Sequence, residues 1–232
     1  MKNHSNPIAS IDKRISTLME LKRKIESEGL NHSHQGKVIT LSREFGCAAY
    51  PVANALKEKL EELTQKTWTI FTEGEIENTN SESIFSAHLS EDFGEQNRYL
   101  KAVIAALLPY WHTEEEYYRE VVKTIVAIAH RGNAILVGRG ASAITRDLPN
   151  CFHFRLIGDR KFRARSYSER HEVTLKEAEK IVVEKEAIRK EFLHRFLGTE
   201  FNINNFHLIF NNEKIPTDRI VDTIISFIYE LH

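Results

Sequence analysis

Apolar residues recur along this chain with two different periods, and the alternation between the two lays out the fold. Ile8, Ile11, Ile15, Leu18 and Ile25 fall at three- and four-residue steps with polar residues between them, which predicts an amphipathic helix over 8–28. Lys22 interrupts the stripe, Gly29 ends it, and "NHSHQGK" follows as a link. Such a helix either packs on its own domain or pairs with a second copy as a homodimer, and three turns of stripe do not choose between these. After it, short apolar runs take over. Val38–Ser42, "TWTIFT" (67–72), "AILVG" (134–138), "CFHFRLI" (151–157) and "FHLIFN" (206–211) are predicted strands.

Helical segments separate these strands. Tyr50–Leu63 carries Val52, Leu56, Leu60 and Leu63 on one face. A helical stretch runs from about 99 to 131, broken near Pro109, after an acidic, polar region at 74–97 that reads as weak helices and loops. Asp159–Ser168, Thr174–Leu197 and Pro216–Leu231 follow. Thr174 and Glu177 have the spacing of a capping box, and Pro216 suits a helix start. Five short apolar strands alternating with helices predict an α/β fold around a five-stranded parallel sheet. Residues 37–232 are expected to form one domain, with 1–36 as an N-terminal helical extension and linker.

Composition narrows the partners. The 232 residues are 41% hydrophobic and carry 32 basic against 33 acidic side chains, a formal net charge of −1. No global field steers such a chain onto nucleic acid or an anionic membrane. No apolar run reaches the length of a membrane span. Cys47 and Cys151 form no CxxC pair and no disulfide framework, and the start has no apolar signal segment, so a reduced, cytoplasmic protein is expected.

Ligands of parallel α/β sheets bind at the carboxyl ends of the strands. Three stretches fall there: "SREFGCAAY", "GRGAS" and "NNEK". A turn entering a helix offers N–H groups to an anion, but Gly46-Cys-Ala-Ala-Tyr-Pro lacks the lysine and hydroxyl of a complete phosphate loop. Arg139, between Gly138 and Gly140, can hold an oxyanion bidentately or stand on an ordinary tight turn. Arg155, Arg160, Lys161, Arg163, Arg165 and Arg170 cluster after the fourth strand, with Arg163 and Arg170 on one helical face. They read either as a solvated, ion-paired face or as an arginine-rich lid.

Together these stretches resemble the cytidylate kinase-like family of P-loop nucleoside monophosphate kinases. The family's entry, "ITISREYGSGG" followed by two residues and "IA", is matched by "ITLSREFGCAAYPVA" (39–53), and its "VGRGA" and "PN" by "VGRGASAITRDLPN" (137–150). Its arginine-bearing lid is matched over 158–189, with Glu186 and Arg189 at the end, and its late strand by "LIFN". The resemblance implies a three-layer α/β/α fold with a helical insert at about 74–131 that would read the base, and a lid at about 159–197. It implies transfer of the γ-phosphoryl of ATP to CMP or dCMP with Mg²⁺ as cofactor. Arg43, Gly46, Cys47, Ala48, Ala49 and Tyr50 would then hold the donor phosphates, and Arg139 the acceptor phosphate. Arg163, Arg165, Glu186 and Arg189 would serve catalysis. The chain departs from the family at Cys47, Ala48 and Ala49, where it has a serine and two glycines, and at Tyr50, where it has a basic residue. Alanine in a left-handed conformation would be strained by about 1 kcal/mol. Two functions therefore stand: an active nucleoside monophosphate kinase, or an impaired pseudo-kinase that binds a nucleotide, another phosphorylated ligand or a protein partner.

Overall fold

The computed structural model describes residues 36–72, 114–197 and 202–230. The expected helix 8–28, its pairing with a second copy, and the insert up to residue 113 lie outside the described residues. Elements below are numbered among the described residues.

Five strands form one parallel sheet: β1 (Val38–Arg43), β2 (Thr69–Phe71), β3 (Ala134–Val137), β4 (Cys151–Ile157) and β5 (Leu208–Asn211), in the order β2-β3-β1-β4-β5. β1 is central, with Leu41 opposite Val137 on one side and Phe154 on the other. Strands buried on both faces need near-continuous apolar runs, and these supply them. One face, with Ile39, Leu41, Phe152 and Phe154, packs on α1 (Ala49–Thr64) and on α6 (Thr217–Tyr229). The other, with Val38, Leu136 and Cys151, packs on α2 (Glu114–Arg131) and on the short α3 (Ala141–Ile144). The three-layer α/β/α arrangement is thus the one expected.

On α1, Val52, Leu56 and Leu60 are buried as the stripe requires, but Leu63 is 54% exposed. At that last turn Trp68 folds back, bonding its indole N–H to Thr64, and fills the core instead. The expected lid is a helical hairpin, α4 (Arg160–His171) and α5 (Leu175–Leu197). Asp159 caps α4 by accepting from the Lys161 N–H at 2.8 Å. Thr174 and Glu177 close the capping box at 3.1 and 3.3 Å. Ala164, Ala178 and Val182 hold the hairpin together, and Phe45 of the β1–α1 loop packs against them. No helix among the described residues is long and apolar enough to cross a membrane.

Candidate functional site

The loop Glu44–Ala48 carries the chain from β1 into α1. Gly46 has φ 98°, and a β-carbon there would stand 2.6 Å from the Arg163 carbonyl oxygen. Glycine is therefore needed both for backbone angle and for the approach of α4. Ala48 has φ −81°, and neither Cys47 nor Ala49 is among the positive-φ residues. The strain expected of these alanines does not arise, because the one left-handed position in the loop is still glycine.

A loop that enters a helix binds phosphate through N–H groups left without intrahelical partners. Here the protein's own acceptors meet those of Phe45, Cys47 and Ala48. The Phe45 N–H donates to the Glu186 carboxylate at 2.7 Å, and the Ala48 N–H to the Asn212 side-chain oxygen at 2.7 Å. The Cys47 N–H donates to the Glu44 carbonyl at 3.2 Å. Carbonyls of the loop are met as well. Arg163 donates to the Phe45 carbonyl at 2.9 Å, and Arg170 to that of Gly46. Arg189 donates to the Arg43 carbonyl at 3.2 Å and lies 5.4 Å from the Phe45 ring. Among the charges, Arg163 pairs with Glu186 at 3.4 Å and with Glu44 at 3.6 Å. Glu44 accepts in turn from the Gly158 N–H at 3.0 Å. The bonds in which a carboxylate or a guanidinium takes part are charge-assisted and partly buried, the strong kind. Burial, with the Glu44 charge nearby, pushes the Cys47 thiol up to about 12, so it stays a neutral thiol at physiological pH.

Beside the loop, on the α2–α3 face of the sheet, opens a cleft of about 230 Å³. Arg43, Arg139, Arg155, Lys185 and Arg189 line it, and no carboxylate of the described residues does. The turn after β3 runs through three left-handed residues: Gly138 (φ 88°), Arg139 (φ 51°) and Gly140 (φ 72°). Arg43 lies so close to Gly138 that any β-carbon there would collide with its guanidinium. A left-handed arginine costs about 1 kcal/mol, a strain of the kind that collects at functional positions. Arg155 reaches from the middle of β4 and donates to the Ser42 hydroxyl at 3.0 Å. Burial lowers its pKa from the usual guanidinium value, yet arginine remains a cation at neutral pH. Beneath the cleft the Thr40 hydroxyl and His153 Nδ1 lie 2.9 Å apart, and burial, with His207 nearby, lowers His153 to about 4.

The residues singled out from sequence divide between these two places. Gly46, Cys47 and Ala48 lie in the loop and Ala49 opens α1, with Arg163 and Glu186 bound to the loop. Arg43 and Arg139 line the cleft together, so Arg43 belongs with the expected acceptor group and not with the donor group. Arg189 touches both. Tyr50 is 42% exposed on the first turn of α1. Arg165 is exposed on α4, within the expected lid, and no hydrogen bond or ion pair among the described residues joins it to loop or cleft. It sits one helical position past the inward-facing Arg163 and Ala164, and so points outward. Lys185 and Asn212 were not singled out, and Arg155 appeared only as a member of the basic cluster after the fourth strand. An arginine inside the otherwise apolar "CFHFRLI" was the available signal for Arg155. The "NNEK" stretch pointed to the place of Asn212 without picking the residue.

A family model settles the ancestry: that of the cytidylate kinase-like family matches residues 38–214, well over half of the chain. The chain belongs to the cytidylate kinase-like family. Both parts of its site, the loop after β1 and the turn after β3, lie inside the matched span. Among solved structures, an uncharacterised protein from Eubacterium ventriosum is similar with a TM-score of 0.62 at 20% identity. That match covers 84% of this chain and 98% of the other, and shows a shared fold. A shikimate kinase from Bacteroides thetaiotaomicron matches with a TM-score of 0.45 at 12% identity, over 84% of this chain and 97% of that one. No curated protein sequence matches.

Proposed function

We propose that this cytidylate kinase-like protein binds a nucleoside monophosphate by its phosphate in the basic cleft, and is impaired in ATP-dependent phosphoryl transfer. One observation carries the reading. The Glu186 carboxylate accepts the Phe45 N–H at 2.7 Å, in the loop where a donor nucleotide would need those backbone donors. A magnesium–triphosphate group does not fit the loop as it stands. Its phosphates would meet a carboxylate of like charge, and the Ala48 N–H is already bound to Asn212. Magnesium takes hard oxygen ligands, whereas Cys47 offers a neutral sulfur. The cleft has the opposite character. A guanidinium binds phosphate through paired N–H groups, and Arg43, Arg139 and Arg155 line one cavity. CMP and dCMP are favoured as ligands by the family alone.

A second reading, an active kinase, is favoured by the origin of the groups that fill the loop. Glu186, Arg163 and Arg170 all stand on the α4–α5 hairpin, so movement of that hairpin would empty the loop of them. Arg163, Glu186 and Arg189 would then be available around a transferring phosphoryl group. Calorimetry with ATP, CMP, dCMP, UMP and AMP, alongside ADP release in the presence of Mg²⁺, separates the two. The proposed reading expects monophosphate binding, weakened by Arg139→Ala, with no ADP release above background. Turnover that disappears in Arg139→Ala with the fold intact would establish the kinase instead.

A further inference from the structure

The cleft has two kinds of lining, cationic on one hand and apolar and amide on the other. Arg43 and Arg139 stand at strand ends and Arg155 within β4, and Lys185 and Arg189 of α5 add two more cations. The apolar and amide lining is supplied by Ile188 and Leu193 of α5 and by Asn202, Asn205 and Phe206, from the segment that leads into β5. A site for an oxyanion alone has no use for that second lining. Apolar side chains and two amides match the organic part of a ligand.

The two amides are not equivalent. The Asn202 side-chain oxygen accepts the Asn204 N–H at 2.9 Å and starts the short 3₁₀ turn Ile203–Asn205. Its role is to shape the segment. The Asn205 side chain is half-buried at the cleft and makes no hydrogen bond among the described residues. An amide offers an acceptor and two donors in one plane, which suits the edge of a heterocyclic base. Phe206, next to it, packs its ring 5.8 Å from the Arg155 guanidinium. It therefore stands beside a cation of the cleft, and an aromatic face there suits a flat ring.

We propose that residues 202–206 select the organic group of the ligand. Asn205 reads the hydrogen-bonding edge of a flat heterocycle, Phe206 supplies the surface it rests on, and the arginines hold the phosphate. The ligand class is a phosphomonoester that carries such a ring, as opposed to a sugar phosphate or phosphate alone. Selectivity then lies in the segment before β5, not only in the 74–131 insert that the family resemblance points to. This inference rests on the reading of the cleft as a phosphate site.

The test is calorimetry on the full chain with inorganic phosphate, ribose 5-phosphate, CMP and AMP, each measured for the native protein, Asn205→Ala and Phe206→Leu. The native protein is expected to bind CMP or AMP about tenfold or more tighter than ribose 5-phosphate, since stacking on an aromatic ring contributes at least that ratio. Phe206→Leu should bring the nucleotide to within about threefold of ribose 5-phosphate, and Asn205→Ala should cut the nucleotide's advantage about threefold or more, while ribose 5-phosphate itself binds as before. Should Phe206→Leu not fold, Asn205→Ala decides alone. Equal native affinity for nucleotide and ribose 5-phosphate, or a nucleotide advantage that the substitutions leave unchanged, overturns the selectivity inference and leaves the phosphate cleft standing. Binding of none of the four overturns the reading of the cleft, and this inference with it.

Discussion

The loop after β1 and the cleft beside it lie at the carboxyl ends of neighbouring strands, and arginines surround both. They differ in what those arginines meet. In the loop, Arg163 lies between the Glu186 and Glu44 carboxylates and the Phe45 carbonyl, while Glu186 and Asn212 take the backbone donors. In the cleft, five cationic side chains line one cavity that no described carboxylate lines. The position that the family resemblance assigns to phosphate is thus one whose Phe45 and Ala48 backbone donors are already bonded within the protein. The loop has become a joint that fastens the α4–α5 hairpin to the sheet. The cleft keeps the character of a binding site, down to a strained arginine at its edge.

Breaking the joint should give the largest effect. Arg163→Ala removes bonds to Phe45 and Gly158 and leaves Glu186 and Glu44 close together. A loss of about 3 kcal/mol in urea unfolding is expected. A loss under about 0.5 kcal/mol would mean that the hairpin is not fastened through this residue.

Acid should act on the other side of the comparison, beneath the cleft, with an effect of similar order. His153 is lowered from 6.5 to about 4, so the native state resists taking up its proton and the unfolded state does not. Its contribution is present above pH 6.5 and is lost as pH falls through 4, on the order of 3 kcal/mol in total. Stability measured from pH 7 to pH 4 should fall less steeply in His153→Gln than in the native protein. Parallel curves would contradict the placement of His153.

Removing the cleft's strained cation should separate binding from stability. Arg139→Gly frees the left-handed position of its side chain, and stability should stay within about 1 kcal/mol of native. Affinity for CMP should drop about tenfold or more, the loss of a charged hydrogen-bonding group. Unchanged affinity would remove Arg139 from the site.

The smallest effect is chemical. Cys47 and Cys151 are buried and their thiols are pushed up to about 12, chiefly by burial. Their contribution to stability is complete below pH 9 and fades as pH rises toward 12, since only the unfolded chain loses its thiol protons first. At pH 8 neither should react with iodoacetamide until denaturant is added, as read by mass spectrometry. Rapid native labelling of Cys47 would show a loop more open than this one.

Much of the fold was legible in the chain because it depends on local pattern. The five apolar runs became the five strands, and the capping box before α5 formed as its spacing required. The three stretches placed at strand ends do meet there. The roles within the site were less legible, because they depend on contacts across long sequence separations. Glu186 reaches Phe45 from 141 residues away, and Asn212 reaches Ala48 from 164. No local pattern states the angle at which a hairpin docks. Arg43 stands next to the loop in sequence, yet its side chain runs across Gly138 into the cleft, and only the sheet order brings β1 and β3 together to allow it. The alanines misled for a related reason: the family's glycines suggested left-handed backbone at positions that do not use it here.

The central claim is that a phosphate ligand binds in the cleft while the loop stays filled from within. Amide NMR shifts of the protein titrated with CMP test it most directly. The account predicts that Gly138, Arg139 and Gly140 move together with saturation, while the Phe45 and Ala48 amides, bound to Glu186 and Asn212, hold still. Shifts led by Phe45 and Ala48, or no shift at residues 138–140, would contradict it.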